Sequence, residues 1–432
     1  MCKVSIILPS YNVVKYIEQC LESAVEQTLS DIEILCIDAG SYDGTCEIIE
    51  KYEKKDHRIR LFRSNQKSYG YQVNIGIKEA RGEYVGILET DDLVLKNMYE
   101  ELYNIAKSNN LDFVKADFYR FTGEGQYQKK VLYKLDESNK NYNHVIDISK
   151  KQDCFRLVMN TWSGIYNTSF LKKNNIYHNE TPGASFQDNG FWFQTFMYAK
   201  RAYFVDKPYY MNRRDNENSS VFSEKKTYCI CDEYSFIYDC LKRDISLKKC
   251  FANTFGYYCY CAYKNNLKRI AEKDKYKFIQ RYASDFRTYM KEGIVSKEFF
   301  ACDEWDDLMS VIYYPQEYYE LIKKEDEIIK QIKLSDNIVI YGAGGVGRYL
   351  YTRLAYCKSP ANVVCFAVTS PDPEKKELYG KPILDIKSLV SYKDEALIVI
   401  ATSDKYTEEI KATLDLIGFS KVIIFSLNRK LL

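Results

Sequence analysis

The sequence predicts an α/β protein with a parallel or mixed sheet at the N-terminus, a helical middle region and a small second α/β domain at the C-terminus. Three observations support this fold class. Apolar runs alternate with amphipathic stretches over the first 92 residues, a pattern typical of parallel strands joined by helices. Apolar residues recur at helical spacing from about residue 226 to 312. A strand, a glycine-rich loop and a helix then begin at Asn337.

The composition limits the class of protein. A chain of 432 residues is too long for one core, and roughly 150 residues per domain gives about three domains. No apolar run reaches the roughly 18 residues of a membrane helix, and the start lacks a signal-peptide pattern, so we expect a cytoplasmic protein. The net charge of +2 argues against nucleic acid as a partner. The 14 cysteines lack C-x2-C zinc spacing, and we expect reduced thiols.

The first 92 residues are interpreted as four strands and three helices. Strands are predicted at residues 4–8, 32–37, 59–62 and 84–88, with helices at about 17–25, after the turn at 38–45, and at about 72–80. In that turn, Ser41 or Asp43 can cap the following helix. The βαβαβαβ order predicts a parallel sheet with right-handed crossovers. Strand candidates at 112–120 and 202–205 are expected to complete it.

Polar groups follow three of these strands. Tyr11 comes after the first strand, Asp38 ends the second, and an acidic loop at residues 89–92 follows the fourth. Ligands of open parallel sheets bind outside the carboxyl ends of the strands. We therefore expect these groups to form one site, although an acidic loop alone could equally be a solvated turn with a helix cap.

The residue types in this site suit a nucleotide sugar. The ring of Tyr11 can stack on a base, and the carboxylate of Asp38 can accept a hydrogen bond from the base or ribose. Glu89 and Asp91, separated by one residue, can both reach one Mn²⁺ or Mg²⁺ whose other ligands are phosphate oxygens and water. Such a cation would be a Lewis acid for the leaving diphosphate.

Several motifs resemble glycosyltransferase family 2 in order and spacing. They are the segments at residues 4–12, 38–45, 74–76, 80–84 and 89–92. The resemblance covers residues 3 to 95 and implies a GT-A fold, a nucleotide-diphosphate sugar donor (most often a UDP-sugar), a divalent cation and inversion at the anomeric carbon. It implies a donor site made of Pro9, Tyr11, Asp38, Ser41, Asp43, Glu89, Thr90, Asp91, Asp92 and Arg213.

A weaker resemblance continues from about residue 160 to 220. It implies that Trp162 lies on the acceptor side and that Asp188 is the general base, which takes the proton of the attacking hydroxyl. Either Arg213 or Arg214 could meet the diphosphate. The alternatives are a core role for Trp162, a helix N-terminal acid at Asp188 and surface charges at the arginines. His178 could line the acceptor side, against surface or core packing.

Four positions depart from the family pattern. Ala39 and Glu89 stand where aspartates are usual, Val73 replaces an arginine, and Gln187 replaces the glutamate of a Glu-Asp pair. Each change removes or lengthens one polar contact. A glutamate still offers two oxygens to a hard cation, so activity is expected to persist.

The C-terminal part contains the motif Gly342-x-Gly344-x-x-Gly347 between a strand and a helix, as in dinucleotide-binding domains. Such a site needs a carboxylate at the end of the second strand, and the first one after that strand is Asp372. We therefore expect a Rossmann-like accessory domain that binds a nucleotide or sugar, or that mediates assembly as a homo-oligomer. An NAD-dependent sugar-modifying unit is the alternative.

These interpretations combine into one prediction. The domains are a GT-A domain at residues 1–225, a helical acceptor region at 226–315, a linker helix at 316–335 and a Rossmann-like domain at 336–432. The function is metal-dependent transfer of a sugar to a saccharide or lipid-linked saccharide acceptor, as in surface polysaccharide synthesis. The basic helical run at 264–291 could touch anionic lipid at the inner face of the membrane, against a solvated helix face. A non-catalytic nucleotide- or sugar-binding protein is the rival.

Overall fold

A computed structural model of the protein describes residues 2–216, 226–355 and 360–426. The chain forms two compact units, Met1–Cys259 and Tyr260–Leu432. The predicted boundary at residue 225 lies outside the described residues, and the four-part division stays a prediction. In the described part of the chain, no helix is both long and apolar enough to cross a membrane.

The first unit is built on a nine-stranded mixed sheet. Its strands are β1 (Val4–Ser10), β2 (Ile32–Asp38), β3 (Ile59–Arg63), β4 (Tyr84–Ile87), β5 (Leu93–Val94), β6 (Phe113–Thr122), β7 (Lys129–Tyr133), β8 (Gly164–Asn167) and β9 (Ala202–Arg213). Their order is β3-β2-β1-β4-β8-β6-β9-β5, with β7 paired to β6. The four predicted strands β1 to β4 are confirmed and run parallel, whereas β8 is antiparallel to both its neighbours.

Helices cover this sheet and continue to the end of the unit. They are α1 (Ile17–Val25), α2 (Thr45–Glu53), α3 (Tyr69–Glu79), α4 (Met98–Ser108), α5 (Thr168–Lys173), α6 (Gln187–Tyr198), α7 (Cys229–Lys242) and α8 (Ile245–Leu267). Helix α3 begins three residues before the predicted start, because the Ser68 hydroxyl caps it by accepting from the Tyr71 amide at 3.2 Å.

Strand β9 is longer than predicted. It continues eight residues beyond residue 205, to Arg213, because its second half pairs with β6 and also with β5. Its core-facing residues Tyr209 and Tyr210 are buried. The extension matters for the site, because Arg213 thereby lies beside the loop that follows β4.

The second unit has a helical part followed by a smaller sheet. Its elements are α9 (Glu272–Lys291), α10 (Cys302–Tyr313), α11 (Pro315–Ile332), β10 (Ile338–Tyr341), α12 (Gly345–Ala355), β11 (Val363–Val368), β12 (Glu377–Leu378), β13 (Lys381–Asp385), β14 (Leu397–Ile400), α13 (Thr407–Ile417) and β15 (Val422–Ile424). The strand order is β12-β13-β11-β10-β14-β15. All neighbouring pairs are parallel except β12 with β13.

The predicted linker helix corresponds to α11, and it is packed rather than solvated. Ile329 and Ile332 belong to the core of the C-terminal sheet. The Asp326 carboxylate is buried and pairs with Lys275 of α9 and Arg353 of α12. A buried carboxylate needs such partners, since an unpaired charge is costly to bury. Helix α11 therefore joins α9 to the C-terminal sheet.

The glycine-rich loop between β10 and α12 is tight. Gly342 has φ of +122°, a value that favours glycine. A Cβ atom on Gly347 would lie 1.8 Å from the carbonyl oxygen of Gly342, whereas one on Gly344 would meet nothing within 4 Å. Gly342 and Gly347 are therefore required by the fold, and Gly344 is not.

We predict that Gly347→Ala destabilises the protein and that Gly344→Ala does not. The alanine at 347 clashes with backbone that has no room to move, at a cost of about 1–3 kcal/mol or more. The free energy of unfolding in urea measures both variants. Equal stability of the two variants would contradict this account of the loop.

Candidate active site

The predicted convergence of three strand ends is present. Ser10 of β1 is in register with Asp38 of β2, and its hydroxyl lies 3.3 Å from the Asp38 carboxylate. The loop after β4 joins the same edge, because the Thr90 hydroxyl donates to the carbonyl oxygen of Pro9 at 3.0 Å. Residues from β1, β2 and β4 thus meet at the carboxyl edge of the sheet.

Asp38 is fully buried and held by the turn that follows it. Its carboxylate accepts from the Gly40 and Ser41 amides, both at 2.9 Å, and from the Ser41 hydroxyl at 2.6 Å. Burial opposes ionisation, but hydrogen bonds from Cys46, Ser41 and Gly40 outweigh it and lower the pKa of Asp38. A charged acceptor is therefore fixed at the end of β2.

The predicted donor residues Ser41 and Asp43 connect two turns. The Ser41 hydroxyl accepts from the Asn12 amide at 2.8 Å. The Asp43 carboxylate accepts from the Val14 amide at 3.0 Å and from the Thr45 hydroxyl at 2.6 Å, at the start of α2. The turn after β1, which contains Tyr11, is thereby attached to the turn after β2.

Tyr11 presents an accessible aromatic ring. It is 37% exposed, with Tyr42 at its edge (ring centroids 6.4 Å apart, interplanar angle 77°). Lys67 places its ammonium 4.7 Å from the Tyr11 ring centroid and donates to the phenol oxygen at 2.8 Å. The sequence analysis missed Lys67 and Tyr42, because no local pattern brings them to Tyr11.

Glu89 lies between two like charges. Its Oε1 accepts from the Tyr69 hydroxyl at 2.6 Å. Burial raises the pKa of Glu89 to about 8, and the negative charges of Asp91 and Asp188 add to this effect against the hydrogen bond from Tyr69. Asp188, from a distant helix, is thus close enough for its charge to act on Glu89.

Asp92 anchors the loop to β9. Its buried carboxylate accepts from the Tyr210 hydroxyl at 2.8 Å, the Asn212 amide group at 3.0 Å and the Arg213 backbone amide at 2.6 Å. These three donors satisfy a carboxylate that would otherwise be costly to bury. Asp91, by contrast, is only partly buried, and its carboxylate accepts a side-chain hydrogen bond from Asn216 at 2.8 Å.

Arg213 is buried, so the alternative that it is a surface charge is wrong. Its guanidinium donates to the Asp91 carbonyl oxygen and to Gln19, both at 2.9 Å. It also lies over the rings of Tyr16 and Phe121, at 4.9 and 4.7 Å. These contacts fix the backbone of the acidic loop, while the predicted contact of Arg213 with a diphosphate stays a prediction.

Asp188 lies in the first turn of α6, as the helix-acid alternative required. Burial raises its pKa, and the backbone hydrogen bonds oppose this only in part. The neighbouring Gln187 is structural: its side-chain amide donates to the carbonyl oxygens of Thr181 and Gly183, both at 3.0 Å. A glutamate there could not make these donations, which explains this departure from the family pattern.

Trp162 is connected to the acidic loop through Tyr210. Its ring stacks on Tyr210 with centroids 4.4 Å apart, and the Tyr210 hydroxyl accepts from the Glu89 amide at 3.1 Å. The segment before Trp162 is held by Lys115 of β6, whose buried ammonium donates to the carbonyl and side-chain oxygens of Asn160 at 2.6 and 2.7 Å. The sequence analysis did not identify Lys115. The available signal was a charged residue within a strand that was predicted to be part of the sheet.

His178 is fully buried and stacks on Phe191 at 4.3 Å, so the packing interpretation is confirmed. Burial lowers the pKa of its imidazole to about 3.

Two further departures from the family pattern, besides Gln187, are interior positions, since Ala39 is 3% exposed and Val73 is completely buried.

Two carboxylates of the predicted donor site could share a divalent cation. Among residues 2–216, 226–355 and 360–426, no group of three or more His, Cys, Asp or Glu side chains is arranged to hold a metal ion. Glu89 and Asp91 nevertheless suit a cation that takes its other ligands from a diphosphate, because lone pairs remain beyond their bonds to Tyr69 and Asn216. Their mutual repulsion with Asp188 is what a cation would relieve.

Comparisons with known proteins agree with this geometry. The model of the family described as glycosyl transferase family 2 matches residues 5–162. The uncharacterized glycosyltransferase EpsJ of Bacillus subtilis is 30% identical over 259 residues, which are 59% of this chain and 70% of EpsJ. The cholesterol galactosyltransferase of Borreliella burgdorferi is 34% identical over 228 residues, which are 51% of this chain and 63% of that enzyme.

A solved structure shows the same fold. The crystal structure of S. aureus TarS 1-349 in complex with UDP-GlcNAc superposes with a TM-score of 0.59 at 20% identity, over 75% of this chain and 91% of TarS 1-349. The fold is that of the GT-A glycosyltransferases. The chain belongs to glycosyl transferase family 2.

We predict that Lys115→Met flattens part of the pH dependence of stability. Burial lowers the pKa of Lys115 from 10.5 to about 7. Between pH 7 and pH 10.5, Lys115 is protonated in the unfolded chain and mostly neutral in the folded protein. Its contribution to the free energy of unfolding therefore rises with pH. From pH 7 to 9 the wild type should gain about 2 kcal/mol relative to Lys115→Met in urea unfolding. The exposed Lys129→Met is the control, and parallel curves for all three proteins would contradict the prediction.

Proposed function

We propose that the protein is an inverting, metal-dependent glycosyltransferase. It transfers a sugar from a nucleotide-diphosphate donor, a UDP-sugar, to a hydroxyl of a saccharide or lipid-linked saccharide. The main support is that the ends of β1, β2 and β4 meet at one edge of the sheet, where the Asp38 carboxylate and the acidic loop are joined through Ser10, Pro9 and Thr90. The UDP-GlcNAc complex of the structural neighbour and the galactosyltransferase name of one relative support the choice of donor class.

The donor occupies the edge formed by β1, β2 and β4. The exposed ring of Tyr11 stacks on the base beside Pro9, and Asp38 accepts a hydrogen bond from the base. Ser41 and Asp43 keep the two turns together. Thr90, Asp92 and Arg213 act by holding the acidic loop against Pro9 and β9.

Glu89 and Asp91 are the residues that would hold Mn²⁺ or Mg²⁺ with the donor diphosphate. When bound, such a cation neutralises the negative charge that develops on the leaving group. Without a cation, the two carboxylates would repel a diphosphate. Their proposed role therefore requires a bound cation that neutralises their charge. Asp91 is the firmer ligand, because Glu89 is already engaged by Tyr69.

Asp188 is the proposed general base. The acceptor oxygen attacks the anomeric carbon on the face opposite the diphosphate, and its proton passes to the Asp188 carboxylate. The bond from the anomeric carbon to the phosphate oxygen breaks, and its electrons leave with the nucleotide diphosphate. Burial raises the pKa of Asp188, which makes its carboxylate a better proton acceptor. Trp162 offers a ring for the acceptor sugar.

The C-terminal sheet is proposed to be a Rossmann-like accessory domain that supports assembly or binds a nucleotide or sugar. Its strand order around the glycine-rich loop is that of dinucleotide-binding sheets. The end of β11, however, presents Thr369, whose hydroxyl is 2.6 Å from that of Tyr341, instead of a carboxylate for a ribose. We further propose that the protein works in the cytoplasm, with peripheral contact to the membrane when the acceptor is lipid-linked.

The transfer reaction is tested by incubating the protein with UDP-sugars and Mn²⁺ and measuring the release of UDP. We expect release with at least one donor, its loss with a chelator, and its loss in Asp91→Ala. Asp153→Ala, which removes an exposed acid far along the chain from the acidic loop, is the control. Tight UDP binding without turnover of any donor would instead identify a non-catalytic nucleotide-binding protein.

The base is tested with Asp188→Asn, which keeps the shape of the side chain and removes its ability to take a proton. We expect kcat to fall about 100- to 10,000-fold while the dissociation constant for UDP changes little. Full transfer activity of Asp188→Asn would refute the assignment of Asp188 as the base.

A further inference from the structure

Tyr69 contacts the proposed metal ligand Glu89, and the reaction proposed above assigns it no role. Its hydroxyl donates to the Glu89 side chain at 2.6 Å, a short hydrogen bond that fixes the position of this carboxyl group. Glu89 stands where the family usually has an aspartate. An aspartate would end one methylene short of the Tyr69 hydroxyl, so the longer side chain and the tyrosine fit each other.

The backbone of Tyr69 is attached to the segment that precedes Asp188. The Tyr69 amide donates to the carbonyl oxygen of Gly183 at 3.0 Å, and the Gly183 amide donates to that of Lys67 at 2.7 Å. The next residue allows no side chain, because a Cβ atom on Gly70 would lie 2.0 Å from the carbonyl oxygen of Asn179. The start of α3 and residues 179–183 therefore form one close-packed junction.

The same junction continues to Asp188 by two routes. Gln187, adjacent to Asp188, donates to the Gly183 carbonyl oxygen at 3.0 Å. On the ring side, Tyr69 makes an edge contact with His178 at 5.7 Å, and His178 stacks on Phe191 of α6 at 4.3 Å. Phe191 lies about one turn after Asp188 on the same helix.

The hydroxyl of Tyr69 thus contacts Glu89, and its backbone amide contacts the segment that precedes Asp188. We propose that Tyr69 is a positioning residue that sets the orientation of Glu89 relative to Asp188, and that it compensates for the glutamate at position 89. This inference rests on the proposed glycosyl transfer. Reaction rates respond strongly to small misplacements of catalytic groups, so Tyr69 affects turnover more than nucleotide binding.

The test is a double-mutant cycle of Tyr69→Phe and Glu89→Asp. We expect Tyr69→Phe to lower kcat about 10- to 100-fold, the range for leaving a buried hydrogen-bond acceptor unsatisfied, with KM for the donor changed less than about threefold. In the Glu89→Asp background, Tyr69→Phe should cost less than about twofold, because the shorter carboxylate no longer reaches the hydroxyl. Tyr103→Phe removes a hydrogen bond of the same kind, to Glu83 at 3.0 Å, and should leave kcat unchanged.

The four proteins of the cycle are also titrated with Mn²⁺ in the presence of UDP, which needs no turnover. Tyr69→Phe should weaken Mn²⁺ binding in the wild-type background and not in the Glu89→Asp background. Equal losses in both backgrounds, in either measurement, overturn the role of Tyr69. A wild type without turnover on any donor overturns the proposed function instead, and the Mn²⁺ titration then decides on Tyr69 alone.

Discussion

The site depends on the buried Asp92 carboxylate and its three donors from β9. Asp92 ends the acidic loop, and its donors come from a strand more than a hundred positions later in the chain. A buried carboxylate without partners would be strongly destabilising, so β9 must extend to Arg213 for the loop to exist in this form. Arg213 then donates from its side chain to the Asp91 carbonyl oxygen. The loop is thereby fixed through residues that themselves need not touch a ligand.

Two further contacts complete the attachment of the loop. Thr90 donates to Pro9 on one side, and Glu89 accepts from Tyr69 on the other. Tyr210 and Arg213 of β9 each contact two of the four loop residues, whereas the partly buried Asp91 carboxylate accepts a side-chain hydrogen bond from Asn216. Burial separates two roles within the loop. The buried Asp92, which accepts three hydrogen bonds, holds the loop in position, and the partly buried Asp91 carboxylate keeps lone pairs for a ligand.

The sequence predicted the part of this arrangement that local patterns determine. Apolar runs predicted the four parallel strands, and the rule that ligands bind at their carboxyl ends placed Tyr11, Asp38 and the acidic loop together. The contacts of Arg213, Lys115 and Tyr69 could not be predicted in this way. They depend on side chains that meet across long sequence separations, and the strand that brings Arg213 to the loop was predicted eight residues too short. The departures at Val73 and Gln187 became interpretable only when their burial and hydrogen bonds were known.

The charges around the site lead to a final physical argument. Glu89, Asp91 and Asp188 place three acidic groups close together, while the buried Arg213 is within 4 Å of the carboxylates of Glu124 and Asp215. A diphosphate brought to this edge would add negative charge to a region where the nearest buried cation is already shared. Coulomb repulsion between partly buried charges is larger than in water, so a compensating positive charge that arrives with the ligand would favour the proposed donor binding. In the proposed reaction a divalent cation carried by the nucleotide diphosphate would supply this charge, and the lone pairs of Asp91 are where the protein could share it.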